Sequence, residues 1–166
     1  MGSISRDRLT QERKEWQKDH PFGFYAKLAK NADGSSNLLQ WECGIPGKKE
    51  SPWARPDGGA YRIVLTFSDD YPTRPPECKF SPPLFHPNVF PSGNVCLSIL
   101  SEDKDWVPTI TIRQVLLGVQ DLLDSPNLSD PAQREAFIMC RDKRAEYIER
   151  VKQLARSYDP KATGEK

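Results

Sequence analysis

The chain has 166 residues, and its 24 Lys and Arg side chains against 23 Asp and Glu give a formal net charge of +1. That length predicts one domain with its own hydrophobic core, and the near-neutral charge argues against a general nucleic-acid-binding protein. No apolar run approaches the ~18 residues of a membrane-spanning helix. The charged N-terminus contains no apolar segment, so we expect no secretory signal peptide.

The first 20 residues predict a helix that Pro21 ends, with Leu9, Arg13 and Trp16 on one face. Basic side chains slightly outnumber acidic ones along this helix. A charged face of this kind is most often a solvated one.

The next part of the chain follows the pattern of β-strands. Segments 24–30 and 38–45 flank the hairpin-turn dipeptide Asp33-Gly34. Large apolar residues recur at every second position from 61 to 67, between Arg62, Val64 and Thr66, which predicts a half-buried strand. We expect four strands in all, arranged as an antiparallel meander.

Between Tyr71 and Pro91 lie seven of the chain's 15 prolines. Proline fixes φ and removes a backbone donor, so neither a helix nor a central strand can run through this stretch. Large apolar residues are interleaved with the prolines, which predicts a rigid, ordered loop packed on the domain. Long ordered loops are usually functional.

The C-terminal part returns to helical patterns. Residues 111–114 have the pattern of a capping box before an apolar stripe that Pro126 ends. Asp130 and Pro131 predict the N-cap and first residue of a short helix, and a last helix runs from about 142 to 158.

The predicted fold class is therefore α+β: an N-terminal helix, a four-stranded antiparallel meander, a long ordered active-site loop and C-terminal helices that cover one side of the sheet. We expect a single core domain over residues 1–158 and a frayed tail over 159–166.

The four cysteines contain no CxxC pair, and because the chain has only two histidines we expect no metal site. Without a signal peptide, reduced thiols are favoured over disulfides. Cys43 and Cys78 lie in or beside strand patterns, which predicts buried core thiols. Cys96 instead follows a Pro-Ser-Gly-Asn turn at the exit of the proline-rich loop, and it is the candidate nucleophile.

Two other residues of this loop bear on the chemistry of Cys96. Asn88 can donate its amide to a developing oxyanion, brace the backbone of the loop, or do both. A cysteine hydrolase needs a histidine within hydrogen-bond reach of the thiol, but His86 is clamped before Pro87 and is expected to be a structural hydrogen-bonder. A nucleophilic cysteine without a base still suits thioester exchange, which needs no activated water.

These motifs resemble the catalytic core of the ubiquitin-conjugating enzymes over residues 4–158. The stretches that carry the resemblance are Phe85-His86-Pro87-Asn88, Gly93-Asn94-Val95-Cys96-Leu97, Trp106 and Pro108. Within that family the chain is most similar to the SUMO-conjugating branch, through segments 11–16 with 18–24, 46–53 and 102–106.

The resemblance implies a transferase that accepts SUMO from its activating enzyme as a thioester on Cys96 and passes it to substrate lysines as an isopeptide bond. Two alternatives stay open. One is a conjugating enzyme for ubiquitin or another ubiquitin-like protein. The other, from a different class, is a non-catalytic scaffold that binds ubiquitin-like proteins.

The resemblance also implies roles for individual residues. Cys96, Asn88 and Asp130 match the catalytic residues, with Asp130 beside the incoming lysine. A nearby carboxylate favours the charged ammonium, so positioning and desolvation must supply the activation. The acceptor-lysine cleft matches a larger set: Glu77, Lys79, Phe90, Ser92, Asn94, Pro131, Ala132, Gln133 and Phe137. The surface that binds SUMO non-covalently and docks the activating enzyme matches Arg13, Lys14, Lys18 and His20.

Several positions depart from the family's pattern. Gln17 replaces a basic residue, Phe90 and Phe137 replace tyrosines, Asn94 replaces a threonine, and Glu77 replaces a lysine at the cleft edge. Acceptor sites of this branch typically read apolar-Lys-any-acidic, and an acidic cleft edge opposes their acidic residue. We therefore predict weaker ligase-free modification of such substrates.

No cofactor is implied, since ATP is used by the activating enzyme. The implied partners are SUMO, bound covalently and non-covalently, its activating enzyme, SUMO ligases and protein substrates with acceptor lysines. Neither nucleic acid nor a membrane is among them. The implied location is the nucleus and cytoplasm.

Overall fold

The computed structural model describes residues 3–159, so of the tail expected at 159–166 only the first residue lies among them. The elements in chain order are α1 (Ser3–Lys18), β1 (Tyr25–Lys30), β2 (Ser36–Pro46), β3 (Ala60–Thr66), β4 (Glu77–Phe80), a short 3-10 helix (Ser98–Leu100), α2 (Ile112–Asp124), α3 (Arg134–Asp142) and α4 (Arg144–Ser157). Within 3–159, no helix is both long enough and apolar enough to span a bilayer.

The four strands form one antiparallel sheet in the order β1-β2-β3-β4, which confirms the predicted meander. The apolar residues of the alternating segment, Tyr61, Ile63, Leu65 and Phe67, are all buried. β4 is a four-residue edge strand between Pro76 and Pro82. Prolines are tolerated at the ends of an edge strand. The prediction that no central strand runs through the proline-rich stretch is therefore compatible with β4.

The predicted inward face of α1 is correct at two of its three residues and wrong at Arg13. Leu9, Glu12 and Trp16 point inward, whereas Arg13 is exposed. The buried Glu12 carboxylate accepts from Arg8 Nε at 2.9 Å and from the backbone N–H of Ile112, the first residue of α2, at 3.1 Å. An ion pair and a helix N-terminus thus compensate the burial of this charge.

The helix start predicted at Asp130 is also wrong, because α3 begins at Arg134 with Gln133 at the N-cap position. The backbone N–H groups of Ala132 and Gln133 donate to the Pro87 carbonyl at 2.7 and 3.3 Å. Residues 130–133 are therefore held against the active-site loop. The capping box of α2 is confirmed, with reciprocal bonds between Thr111 and Gln114.

Candidate active site

A tight turn fastened to β4 carries the chain towards Cys96. The Phe90 N–H donates to the Asn94 carbonyl and the Phe80 N–H to the Gly93 carbonyl, both at 2.8 Å. Gly93 has φ +100°, and a Cβ there would lie 2.2 Å from the Phe80 carbonyl oxygen. Only glycine fits this position, because both the conformation and the close approach exclude a side chain.

His86 is a structural residue, as its place before Pro87 predicts. It is fully buried, its Nε2 lies 2.8 Å from the Leu122 carbonyl oxygen, and its Nδ1 lies 3.0 Å from the Asn88 backbone nitrogen. The backbone N–H must donate to Nδ1, so Nε2 carries the ring proton. Burial lowers the pKa of His86 to about 4. With both ring nitrogens occupied, this histidine cannot serve as a base for Cys96.

Asn88 uses its whole side-chain amide within the protein. Its Nδ2 donates to the carbonyls of Asn127 and Asp130 at 2.8 and 2.9 Å, and its Oδ1 accepts from the Asn127 backbone N–H at 2.8 Å. The side chain is fully buried, so both amide hydrogens are committed. Of the two roles that the sequence leaves open, this arrangement is that of a brace, which joins the active-site loop to the segment bearing Asp130.

Cys96 opens onto a cleft of about 250 Å³ between this loop and the segment after α2. Cys96 and Asp130 are the predicted site residues that line it; Lys104 and Asn127 line it too and were not predicted. The Lys104 Nζ lies 3.6 Å from Asp130 Oδ2, and Asn127 Nδ2 lies 3.4 Å from the same oxygen. A carboxylate and an ammonium therefore stand together beside the thiol.

The thiol of Cys96 is not activated in the manner of a cysteine protease. Burial raises its pKa, the Asp130 carboxylate raises it further, and the Lys104 ammonium opposes that rise. Cysteine nucleophiles that are paired with a histidine have strongly lowered pKa values instead. The site is that of a mostly protonated thiol, which disfavours the hydrolase hypothesis.

All four cysteines have free thiols. Cys43, Cys78 and Cys140 are buried, whereas Cys96 is only partly buried. Desolvation raises the pKa of the thiols of Cys43 and Cys78 far above the ordinary range. The prediction of core thiols at these two positions is confirmed, and Cys140 joins them.

None of the nine predicted acceptor-side residues lines this cleft, and they fall into two groups by their place in the fold. On one side, exposed Glu77 and Lys79 belong to β4, Lys79 pairs with Asn94 in an isolated bridge, and the Ser92 hydroxyl donates to Asn94 Oδ1 at 2.7 Å. Phe90, in the same turn, is 41% exposed.

The second acceptor-side group lies before and on α3. Gln133 Nε2 donates to the carbonyls of Leu84 and Val89, each at 3.0 Å, and Ala132 is tied to Pro87 as described above. Pro131 is exposed. Phe137 lies on α3 with the Arg141 guanidinium 5.1 Å above its ring, and it does not line the cleft of Cys96.

The two cleft residues that were not predicted, Lys104 and Asn127, differ in how much signal the sequence holds for them. Lys104 is the one cation in the acidic segment Glu102-Asp-Lys-Asp105, within a stretch that carried the family resemblance. That Lys104 pairs with Asp130 is seen only in the folded structure. Asn127 follows Pro126 in an ordinary loop, and no sequence pattern marks it.

The predicted basic surface lies on the outer side of α1 and just beyond it. Arg13, Lys14, Lys18 and His20 are exposed. The His20 ring stacks on Trp16 with 5.0 Å between ring centroids, and its Nδ1 lies 3.0 Å from the Trp16 carbonyl oxygen. Arg13, Lys14 and Lys18 lie on α1, His20 lies two residues beyond its end, and none of the four lines the cleft of Cys96.

Within residues 3–159, no group of three or more His, Cys, Asp or Glu side chains is placed to hold a metal ion. The cleft offers instead a thiol, one carboxylate and one ammonium. Such a set can form and break an acyl bond on sulfur and can orient an amine.

Comparison with known proteins identifies the class. The family model described as ubiquitin-conjugating enzyme matches residues 8–155, and the chain belongs to this family. A protein named SUMO-conjugating enzyme UBC9, from Caenorhabditis elegans, is 59% identical over 158 residues, which are 95% of this chain and 93% of that protein. The Sumo-conjugating enzyme ubc9 of Dictyostelium discoideum is 50% identical over 160 residues, covering 96% of this chain and 99% of its own.

Proposed function

We propose that this chain is a SUMO-conjugating enzyme, which accepts SUMO from its activating enzyme as a thioester on Cys96 and transfers it to substrate lysines. The observation that carries the proposal is the partly buried Cys96 in a cleft with Asp130 and without an available histidine. The identity to two relatives named SUMO-conjugating enzymes, over nearly the full length of each, favours SUMO over ubiquitin.

In the first step, the Cys96 thiolate attacks the carbonyl carbon of SUMO, which the activating enzyme holds as a thioester. The new C–S bond forms as the old one breaks, and the departing sulfur takes up a proton equivalent to the one that Cys96 lost. One thioester replaces another, so no water has to be activated. Neither histidine lines the cleft, so no imidazole stands beside Cys96 to activate water against the loaded thioester.

In the second step, the neutral amine of a substrate lysine attacks the same carbon. The N–C bond forms, the C–S bond to Cys96 breaks, and one proton passes from the amine to the leaving sulfur or to solvent. Asp130 orients the amine beside the thioester, and the effective concentration of the held amine supplies much of the rate. Asn88 contributes by bracing the segment that positions Asp130.

The exposed residues Glu77, Lys79, Phe90 and Ser92, with the half-buried Asn94, form one wall for the acceptor peptide. The segment from Pro131 to Phe137 forms the other. Arg13, Lys14 and Lys18 of α1, together with His20, dock SUMO and the activating enzyme. SUMO ligases are proposed as further partners, and the nucleus and cytoplasm as the location, which imaging of a tagged chain would test.

The test is charging on a non-reducing gel. The protein is incubated with the SUMO-activating enzyme, ATP and SUMO, and a parallel reaction uses ubiquitin with its own activating enzyme. We expect a thiol-sensitive SUMO adduct that is absent from Cys96→Ala and retained in Cys140→Ala, the matched buried-cysteine control. Equal or preferential charging with ubiquitin would support the first alternative, and no adduct with either would support the binding scaffold.

A further inference from the structure

The cleft of Cys96 contains an ion pair to which no role has been given. The Lys104 Nζ lies 3.6 Å from Asp130 Oδ2, and the two side chains are 53% and 45% exposed. Lys104 approaches from the loop that follows the 3-10 helix, and Asp130 from the segment between α2 and α3. The pair therefore spans the cleft through which a substrate amine must reach the thioester.

The loop that carries Lys104 is well anchored. The Trp106 indole N–H lies 3.0 and 3.2 Å from the carbonyl oxygens of Pro72 and Thr73. The backbone N–H groups of Lys104 and Trp106 both donate to the Ser101 carbonyl at 3.1 Å. The Lys104 side chain thus extends towards Asp130 from an anchored backbone.

Asp130 is fixed from the opposite side. Its backbone carbonyl accepts from Asn88 at 2.9 Å, and its carboxylate faces Asn127 as well as Lys104. Both partners of the pair are therefore held by contacts outside the pair.

Few other charges reach this cleft. Cys96, Lys104 and Asp130 are the titratable groups among its described lining residues, and α2 contributes only the apolar Leu122. At the rim, Glu102 is engaged by Arg74 at 3.6 Å. The remaining acidic residues of the loop, Asp103 and Asp105, are exposed and do not line the cleft. Lys104 is thus the cation that faces Asp130 in the cleft.

We propose that Lys104 is a positioning residue for the transfer step, whose ammonium neutralises Asp130 so that the carboxylate can orient an acceptor amine without holding it in the unreactive ammonium form. The inference rests on the proposed function, because it concerns the second step of that reaction. An unpaired carboxylate favours a neighbouring ammonium, whereas only the neutral amine attacks the thioester. A second cation at the carboxylate removes that preference.

Loss of the Lys104 charge then strengthens binding of the acceptor lysine but makes the bound lysine harder to deprotonate. An unpaired Asp130 binds the acceptor ammonium more tightly, so the lysine concentration at half-maximal rate falls, by about two- to fivefold. The bound amine loses its proton at higher pH, so the rate profile moves up by roughly 0.5–1 pH unit. That size is expected for one half-exposed charge a few ångströms away, screened by solvent.

The experiment measures discharge of purified SUMO thioester to free lysine, after the activating enzyme has been stopped by removing Mg²⁺, over pH 6–10. Lys104→Gln tests the loss of charge, and Lys104→Arg keeps it. Lys152→Gln is the matched control, because Lys152 is an exposed lysine paired with Glu149 at 3.8 Å on α4. We expect the profile and half-saturation to shift in Lys104→Gln, to be restored in Lys104→Arg and to be unchanged in Lys152→Gln.

A second readout needs no SUMO. In the free enzyme, the pH profile of Cys96 alkylation by iodoacetamide shifts upward in Lys104→Gln, because the field of Asp130 on the thiol is then uncompensated. Unchanged discharge and alkylation profiles, or failure of the arginine to restore them, would overturn the inference while the proposed function stands. If the wild type forms no SUMO thioester, the proposed function fails, and the role of Lys104 in transfer fails with it.

Discussion

Removal of the Asn88 side chain separates bracing from oxyanion stabilisation. Asn88→Ala deletes three hydrogen bonds of 2.8–2.9 Å around a fully buried amide. Each such bond contributes about 0.5–1.5 kcal/mol, and partners left without water cost more. Because Asn127 is exposed and water can replace part of the loss, we expect the free energy of unfolding to fall by about 2–4 kcal/mol, with a Tm decrease of roughly 5–15 °C.

The assay is urea unfolding followed by tryptophan fluorescence, with Asn31→Ala as the control, since the Asn31 amide makes one exposed bond to Ser35 Oγ at 2.9 Å. Discharge of the thioester to lysine is measured on the same proteins. The bracing account predicts a large stability loss, with slower discharge that follows from displacement of Asp130. A discharge rate reduced a hundredfold or more with a stability loss below about 1 kcal/mol would show that Asn88 acts as an oxyanion donor and not as a brace.

Three further changes test other parts of the site. Glu77→Lys is expected to raise ligase-free modification of an apolar-Lys-any-acidic peptide by about two- to fivefold at low salt, and equal turnover by the two proteins would contradict the cleft-edge argument. Gly93→Ala is expected to destabilise the fold by more than about 2 kcal/mol, measured by urea unfolding, because its Cβ would lie 2.2 Å from the Phe80 carbonyl oxygen. Burial lowers the pKa of His86 to about 4, so the contribution of the neutral ring to the free energy of unfolding is complete above about pH 6.5. About 3 kcal/mol of it is lost as the pH falls towards 4. His86→Asn should flatten this part of the stability profile measured by urea unfolding, and an unchanged slope would show that His86 does not cause it.

Much of the fold follows from local patterns that the tertiary structure does not override. The alternation from Tyr61 to Phe67 and the capping box before α2 both formed as predicted. The start of α3 could not be predicted in this way, because the pattern of Asp130 and Pro131 competes with hydrogen bonds from Ala132 and Gln133 to Pro87. Those bonds join segments distant in sequence.

In the candidate site too, local sequence patterns predict some residues, whereas contacts between distant segments had to be found in the structure. Cys96 is visible in the sequence because a proline-rich loop cannot be helix or central strand, so the cysteine at its exit has an unusual setting. The commitment of both Asn88 amide hydrogens depends on carbonyls beyond α2. The pairing of Lys104 with Asp130 likewise depends on how two loops meet. Contacts between distant segments carry no periodic signal, and the structure was needed to find them.

The most direct test of the account is complete transfer, followed by intact-mass spectrometry. Activating enzyme, ATP, SUMO and a peptide with one lysine are incubated with the wild type, Cys96→Ala or Cys140→Ala. We expect a peptide whose mass rises by that of SUMO less one water, formed by the wild type and Cys140→Ala and not by Cys96→Ala. Peptide modification that persists in Cys96→Ala, or that proceeds equally well with ubiquitin and its activating enzyme, would contradict it.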